Sequence, residues 1–425
     1  MRMMPQKGMG TPGSRPQRRF SVIWLVRSII GVIFVLQAIT IAVLVAISSL
    51  RKRRKQVCGF PYPNLEEVQV GENALQVYGY GKDLYAAMLE AIDGARESIY
   101  LESFIWKDDE IGQKFKAHLA KKADEGVDVH VIFDSFGNLV VPRAFKTFPK
   151  NIHVLEYQSF YQFWHILDPR RYSLDHRKLL VIDGSIGFIG GFNIGSLYET
   201  TWRDTHLRIR GPAAADLAHS FIDFWNRFGA SADEITQRYP RRFDPLINLR
   251  GNDALRLTFP IRDMYIEAID RAEHTILLSN AYFVPDHVLL EALKAAAARG
   301  VDVRILVPWN SNHVIADWIS HGYFSSCLQA GIRIFGYRHT MLHAKTCTID
   351  DRWSTIGTAN LDRLSSIGNY EINIEIYSPE LAHQMRALFE CDTADEIELA
   401  EEEWHRRSWY AKFSERILAP LRFMI

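Results

Sequence analysis

Hydrophobic and polar positions divide the chain into one long apolar run and a body in which short periodic segments alternate. Ser28–Leu50 is a 23-residue apolar run whose one amide side chain is Gln37. A run of this length crosses a bilayer with some tilt. It is too long for the apolar segment of a cleaved leader, and no small-residue cleavage site precedes the charges that follow, so a retained transmembrane helix is expected over 28–50. Further on, Ser98–Ile105 reads as a strand, Gly112–Asp124 as a helix and Val127–Phe133 as a strand. The order returns as Thr275–Phe283, Val288–Arg299 and Val301–Val307, and Gly-Val-Asp-Val recurs at Gly126 and Gly300. Strand–helix–strand written twice predicts a duplicated α/β fold. The expected bounds are one domain over 57–230, a linker over 231–251 and a second domain over 252–400.

The flanks add membrane features. Residues 1–27 are rich in Pro, Gly and Arg and read as a disordered basic N-terminus. Arg51-Lys-Arg-Arg-Lys55 follows the apolar run, against Arg15, Arg18, Arg19 and Arg27 before it; the denser cluster predicts that the body after the run is cytoplasmic. The tail, 401–425, places Trp404, Trp409, Phe413, Ile417, Leu418, Leu421 and Phe423 among arginines. It reads either as an interfacial amphipathic helix broken at Pro420 or as a helix packed on the domain. The aromatic stretch Tyr157–Trp164 is open to two readings as well, a lipid-facing loop or apolar core.

Charge and cysteine content exclude several classes. Lys and Arg number 50 against 50 Asp and Glu, so no overall field marks a nucleic-acid partner, and none is expected. Cys58, Cys327, Cys347 and Cys391 show no paired spacing, which gives neither a disulfide framework nor a zinc site. No H-E-x-x-H, Asp-rich cluster or Gly-rich phosphate loop is present, so no metal or cofactor is expected.

The chemistry lies in a phrase written twice. His176-Arg-Lys178, four residues, Asp183, six residues, Gly190-Gly191-Phe-Asn193 is matched by His343-Ala-Lys345, four residues, Asp350, six residues, Gly357-Thr358-Ala-Asn360. The copies keep a constant offset of 167 residues, which also relates Asp204 to Glu371. In a strand, residues two apart share a face, so each histidine and its lysine point the same way. Two-residue turns at Asp183-Gly184 and Asp350-Asp351 would set Gly191 opposite His176 and Thr358 opposite His343, leaving room for a phosphate group. Asp183 and Asp350 belong to the same motif as the catalytic histidines and lysines, yet their odd separation from the histidines turns them away. They read as turn or ion-pair residues. Asp204 and Glu371 lie 28 residues after the histidines of their own halves, and each is expected to accept that histidine's second ring N–H and fix its tautomer.

The doubled motif resembles that of the phospholipase D superfamily. Longer stretches are similar to its bacterial cardiolipin synthase branch: Ile99-Tyr-Leu-Glu102-Ser-Phe, Phe133-Asp134-Ser-Phe-Gly137, Trp202-Arg-Asp204-Thr-His206, Ala281-Tyr-Phe-Val-Pro285-Asp286 and Met341 through Asp362. Leu174-Asp175 and Asp362-Arg-Leu-Ser365 depart from the family's usual segments. The resemblance implies two domains, each a mixed β-sheet flanked by helices, with one active site at their pseudo-two-fold interface. It implies Lys178, Lys345, Asn193 and Asn360 as donors to a phosphoryl group, with Gly191 and Thr358 beside it. It also implies His176 as nucleophile and His343 as acid and base, a choice that the symmetric motifs leave open. The implied activity transfers a phosphatidyl group to phosphatidylglycerol, from a second phosphatidylglycerol or from phosphatidylethanolamine, at the bacterial inner membrane. A phospholipase D-type hydrolase and a membrane-tethered nuclease are the alternative enzymes, and a catalytically dead scaffold is the non-enzymatic one.

Overall fold

The computed structural model describes residues 22–52, 59–158 and 173–420. The basic N-terminus up to residue 21, cationic residues 53–55, aromatic positions 159–164 and the last five tail residues lie outside the described residues. The apolar run is the heart of α1 (Val22–Lys52), and its Val26–Ala46 window has the length and hydropathy to cross a membrane.

The first half runs β1 (Val68–Val70), β2 (Asn73–Tyr78), α2 (Gly81–Gly94), β3 (Ser98–Ser103), α3 (Glu110–Asp124), β4 (Asp128–Asp134), α4 (Arg143–Lys146) and β5 (Ile152–Tyr157). It continues through β6 (Leu179–Ile182), β7 (Ile186–Gly190), α5 (Ser196–Thr200), β8 (His206–Arg210) and α6 (Ala214–Phe228). The second half runs β9 (Ile247–Asn252), α7 (Pro260–Asp270), β10 (Thr275–Asn280), α8 (His287–Ala298), β11 (Asp302–Pro308), α9 (Val314–Gln329) and β12 (Arg333–Tyr337). After these come β13 (Lys345–Ile349), β14 (Trp353–Gly357), α10 (Arg363–Ile367), β15 (Glu371–Tyr377), α11 (Pro379–Thr393), β16 (Ile397–Glu398), α12 (Glu401–His405) and α13 (Trp409–Leu418).

Two eight-stranded sheets result, ordered β1-β2-β8-β7-β6-β3-β4-β5 and β16-β12-β11-β10-β13-β14-β15-β9. In each, the strand–helix–strand units pair in parallel, β3 with β4 and β10 with β11, because a helix returns the chain to the same edge. The motif hairpins pair antiparallel beside them. Strands such as β3 and β13 are buried throughout, since helices pack on both faces, α2 and α3 against α6 around β3, and α7 against α11 around β13. One core joins the halves: Leu179, Val181 and Ile189 share it with Ile356, Ile372 and Ile374.

Three expectations change here. Residues 247–251 of the expected linker form most of β9, which pairs with β15 in the second sheet, from Ile247 opposite Ile376 to Asn252 opposite Glu371. The preceding linker residues lie on the first half, where Tyr239 Oη is 2.7 Å from Ser98 Oγ and Arg238 pairs with Asp128. The motif turns have three residues rather than two, since Ile182 pairs with Ile186 and Ile349 with Trp353. Asp183 and Asp350 adopt positive φ (49° and 53°), which aspartate tolerates better than most residues. The tail, open to two readings from sequence, forms α12 and α13 and packs in part on the second half. Trp404 and Leu418 are buried against the second half, while Trp409 and Tyr410 stay 78% and 61% exposed. Gln37 also finds its purpose: its Nε2 donates to Ile417 O at 3.0 Å, in the last turn of α13 where carbonyls lack helical partners.

Candidate active site

Two short bridges between the halves build the site. Tyr370 N donates to Leu174 O at 2.9 Å and His176 N to Tyr370 O at 3.0 Å. Around the pseudo-two-fold, Arg203 N donates to Met341 O at 2.9 Å and His343 N to Arg203 O at 2.7 Å. Each histidine is therefore tied to the residue immediately before the other half's carboxylate. His176 Nδ1 lies 2.9 Å from both oxygens of Glu371, and His343 Nδ1 lies 2.6 Å from Asp204 Oδ2. The carboxylates do reach the histidines, but across the interface; the pairing expected within each half is corrected. With Nδ1–H donated to a carboxylate, Nε2 of each ring keeps its lone pair.

The small residues have a different purpose from the one expected. A Cβ on Gly191 would sit 2.1 Å from Asp204 Oδ1, so the space there belongs to that carboxylate rather than to a phosphate. Thr358 Oγ1 donates to Glu371 Oε2 at 2.6 Å and is fully buried. Both positions hold the carboxylate of their own half where it can reach the opposite histidine.

Asp183 and Asp350 are not at the reaction centre. The Asp183 carboxylate accepts from the N–H groups of Arg96, Glu97 and Ser98 at 2.8–2.9 Å. Asp350 does the same for Glu273, His274 and Thr275 at 2.7–2.8 Å. They latch each motif hairpin to the start of β3 or β10, as their odd spacing from the histidines indicated, and their grouping with the catalytic residues is withdrawn.

Lys178 and Lys345 are buried, and each Nζ donates to the carbonyl of its own motif histidine, His176 O at 2.6 Å and His343 O respectively. Burial pulls Lys178 down to about 7 and Lys345 to about 8, despite nearby carboxylates that favour their charged forms. Burial also lowers both histidines, His343 to about 3, and the lysine charges add to that effect. The carboxylates differ. Burial raises Glu371 to about 8 against the pull of Lys178 and the Thr358 hydroxyl. Burial acts on Asp204 too, but Lys345, His343 and the Thr205 N–H outweigh it and hold the group below its usual value.

Asn193 Oδ1 accepts from Ile105 N at 3.0 Å, which leaves its NH₂ as the group for a ligand. Asn360 is 5% exposed and its amide oxygen has no protein partner. Phe104 packs edge-on against His176 with centroids 4.8 Å apart, while Trp202 and Tyr282 flank His343 at 5.1 and 6.4 Å.

Sequence reasoning missed the support beneath this site. Arg203 is buried, meets Asp392 of α11 through two bonds of 2.9 and 2.7 Å, and donates to Asp204 O and Thr205 Oγ1. It fixes the backbone that carries Asp204. The phrase Trp202-Arg-Asp204 contained Arg203, but Asp392 lies 189 residues away with no motif around it. Arg177, between the motif His and Lys, faces the other way to Glu102 and Asp175. Glu102 and Asp175 are raised by burial, with Arg177 opposing.

Among the described residues one group, Asp128, His130 and His153, has metal-ligand types close together. The imidazoles are stacked with planes 13° apart and centroids 4.5 Å apart, so their in-plane lone pairs do not converge on one ion. The Arg238 guanidinium already occupies Asp128 at 2.8 Å.

A family model described as cardiolipin synthase, PLD-like domain matches residues 88–225 and 265–393, one match in each half. A cardiolipin synthase from Listeria monocytogenes serotype 4a is 33% identical over 368 residues, covering 82% of this chain and 76% of that protein. One from Staphylococcus aureus strain Mu50 is 33% identical over 371 residues, covering 82% and 74%. The crystal structure of phosphatidylserine synthase from Haemophilus influenzae Rd KW20 is similar in fold, with a TM-score of 0.60 at 16% identity, covering 84% of this chain and 93% of that one. The chain belongs to the phospholipase D-like family, in its cardiolipin synthase group. The resemblance read from the doubled motif and the duplicated mixed α/β architecture both hold.

The lysine environment sets a pH dependence. In the free enzyme the charged donors are lost as pH rises through about 7 to 8, so kcat/KM falls on that alkaline side. A bound phosphodiester anion favours charged lysines, so the corresponding limb of kcat lies at higher pH. Parallel profiles of the two parameters check this, and a kcat/KM that stays flat across that range contradicts it.

Proposed function

We propose that this protein is a cardiolipin synthase-type phosphatidyltransferase, moving a phosphatidyl group from one phosphatidylglycerol to the free hydroxyl of another and releasing glycerol. The observation that carries the mechanism is the unequal pair of crossed dyads. Burial raises Glu371 to about 8, so near neutrality it carries less negative charge and draws less positive charge onto His176, and the Nε2 lone pair there remains available for attack on phosphorus. Asp204 is held ionised beside His343, which favours the imidazolium once a phosphodiester anion arrives.

In the first step His176 Nε2 bonds to phosphorus. The bond from phosphorus to the glycerol oxygen breaks, and that oxygen takes the Nε2 proton of His343. In the second, His343 Nε2 removes the proton of the acceptor hydroxyl, whose oxygen displaces His176. Lys178, Lys345, Asn193 and Asn360 donate to the phosphoryl oxygens, and these bonds strengthen as charge develops. Nothing in this arrangement distinguishes a lipid hydroxyl from water; the membrane setting and the relatives' names support the transferase over the hydrolase.

Phosphatidylglycerol in mixed micelles should give cardiolipin and glycerol, with phosphatidic acid as a minor product, read by lipid mass spectrometry. Phosphatidic acid as the main product at high lipid density would replace this reading with a phospholipase D. We place the catalytic body on the cytoplasmic side of the membrane, on the strength of the cationic residues after the apolar run. A C-terminal reporter active only in the cytoplasm checks the placement, and labelling of the body from outside the cell overturns it.

A further inference from the structure

Between α1, α9 and the C-terminal helices lies a cavity of about 640 Å³ that neither His176 nor His343 lines. Ile39, Val43 and Leu44 of α1 form one wall; Trp318 of α9 with Trp404 and Ala411 of the tail form others. The volume lies in the range of roughly 300–1,000 Å³ typical of ligand pockets. We propose that this cavity receives an acyl chain of the membrane phospholipid that accepts the phosphatidyl group, a proposal that rests on the transferase reading above.

The first support is depth. Ile39, Val43 and Leu44 fall inside the Val26–Ala46 window that has the length and hydropathy to cross a membrane. With this wall at bilayer depth, the cavity is entered from hydrocarbon rather than from water. The exposed Trp409 and Tyr410 on α13 are the side chains that settle at a headgroup boundary. The second support is the character of the walls. Arg407 lies over the Trp404 ring at 3.2 Å and pairs with Glu415, so the nearby cation is already engaged, and Ile39, Val43, Leu44, Val314, Trp318 and Ala411 supply apolar surface for a ligand.

The third support is the direction in which the cavity leads. Asp317 and His321 line it and also line a small void with Ala281 and Tyr282. Tyr282 packs edge-on against His343, and its hydroxyl donates to Asn312 at 2.6 Å, on the loop whose Asn310 lines the large cavity. The cavity wall is thus linked through Asp317, His321 and Tyr282 to the side of the site that holds the acid and base histidine, and none of its lining residues is His176. That is the side from which the acceptor hydroxyl must come, because His343 protonates the departing glycerol and then deprotonates whatever takes its place. Water needs no apolar path to this position, whereas a diacyl lipid does. The cavity would thus raise the local concentration of lipid hydroxyls over water.

The test compares two acceptors in the full-length protein, using phosphatidylglycerol micelles as donor. One is a second phosphatidylglycerol, read as cardiolipin; the other is radiolabelled glycerol, read as label exchanged into phosphatidylglycerol. Val43 is half-exposed, so Val43→Trp fills the cavity without burdening the core. The ratio of cardiolipin formation to glycerol exchange should fall at least about tenfold in Val43→Trp. Val35→Trp, on an exposed part of α1 outside the cavity, should keep the wild-type ratio. A phosphatidylglycerol with a diazirine on its acyl chain should label peptides holding Trp318 or Tyr410. An unchanged ratio in Val43→Trp, including a parallel fall of both reactions, or labelling that misses both peptides, overturns the cavity assignment alone. Wild-type protein that yields phosphatidic acid in place of cardiolipin overturns the transferase reading and the acceptor assignment with it.

Discussion

His176→Ala and His343→Ala are each expected to abolish cardiolipin formation, with turnover reduced by at least about 10³-fold, because in the proposed mechanism the two histidines perform different halves of one displacement. Neither can replace the other. His176 is held by Glu371 and His343 by Asp204, each from the opposite half, so removing one ring leaves a site with either no nucleophile or no proton donor. Circular dichroism and thermal melting of the variants should stay close to wild type, since the ring of His176 is partly exposed and neither belongs to the main hydrophobic clusters. Substantial turnover in either variant contradicts the two-histidine scheme.

Lys178→Ala and Lys345→Ala give the second large effect, a loss of about 10²–10³-fold in kcat with smaller changes in KM. Burial of both ammonium groups costs free energy in the empty enzyme, as their lowered affinity for protons shows. That cost is offset when a phosphodiester supplies the missing negative charge, and most fully when charge builds on the phosphoryl oxygens in the transition state. Steady-state kinetics on folded variants checks this. An effect confined to KM would mean that the lysines bind lipid without assisting the reaction.

The architecture was legible because it is written twice. Period-two and period-3.6 segments return in the same order, and observed strands β4 and β11 fall within a residue of the bounds read from Val127–Phe133 and Val301–Val307. The site was legible as a set of residues but not as a set of pairs. Spacing along one strand says which side chains share a face, and so separated Asp183 and Asp350 from the histidines. It cannot say that Asp204 serves His343, because that contact depends on a bridge between Arg203 and Leu342, on segments far apart in the chain. Turn length was misjudged for a local reason. Asp-Gly and Asp-Asp suit a two-residue hairpin, but here the aspartate also latches three N–H groups of another strand, and this favours the longer loop. The Arg203–Asp392 pair had no signal at all, since a lone aspartate in a helix reads as an ordinary solvated residue.

The crossed, unequal dyads make one claim above all: His176 is the residue that carries the phosphatidyl group. Rapid quenching of the full-length protein during turnover, followed by peptide mapping under conditions that preserve phosphohistidine, tests it directly. The adduct should sit on the peptide containing His176, be absent from that containing His343, and disappear in His176→Ala. An adduct on His343, or none on either histidine while cardiolipin is being made, would contradict the account.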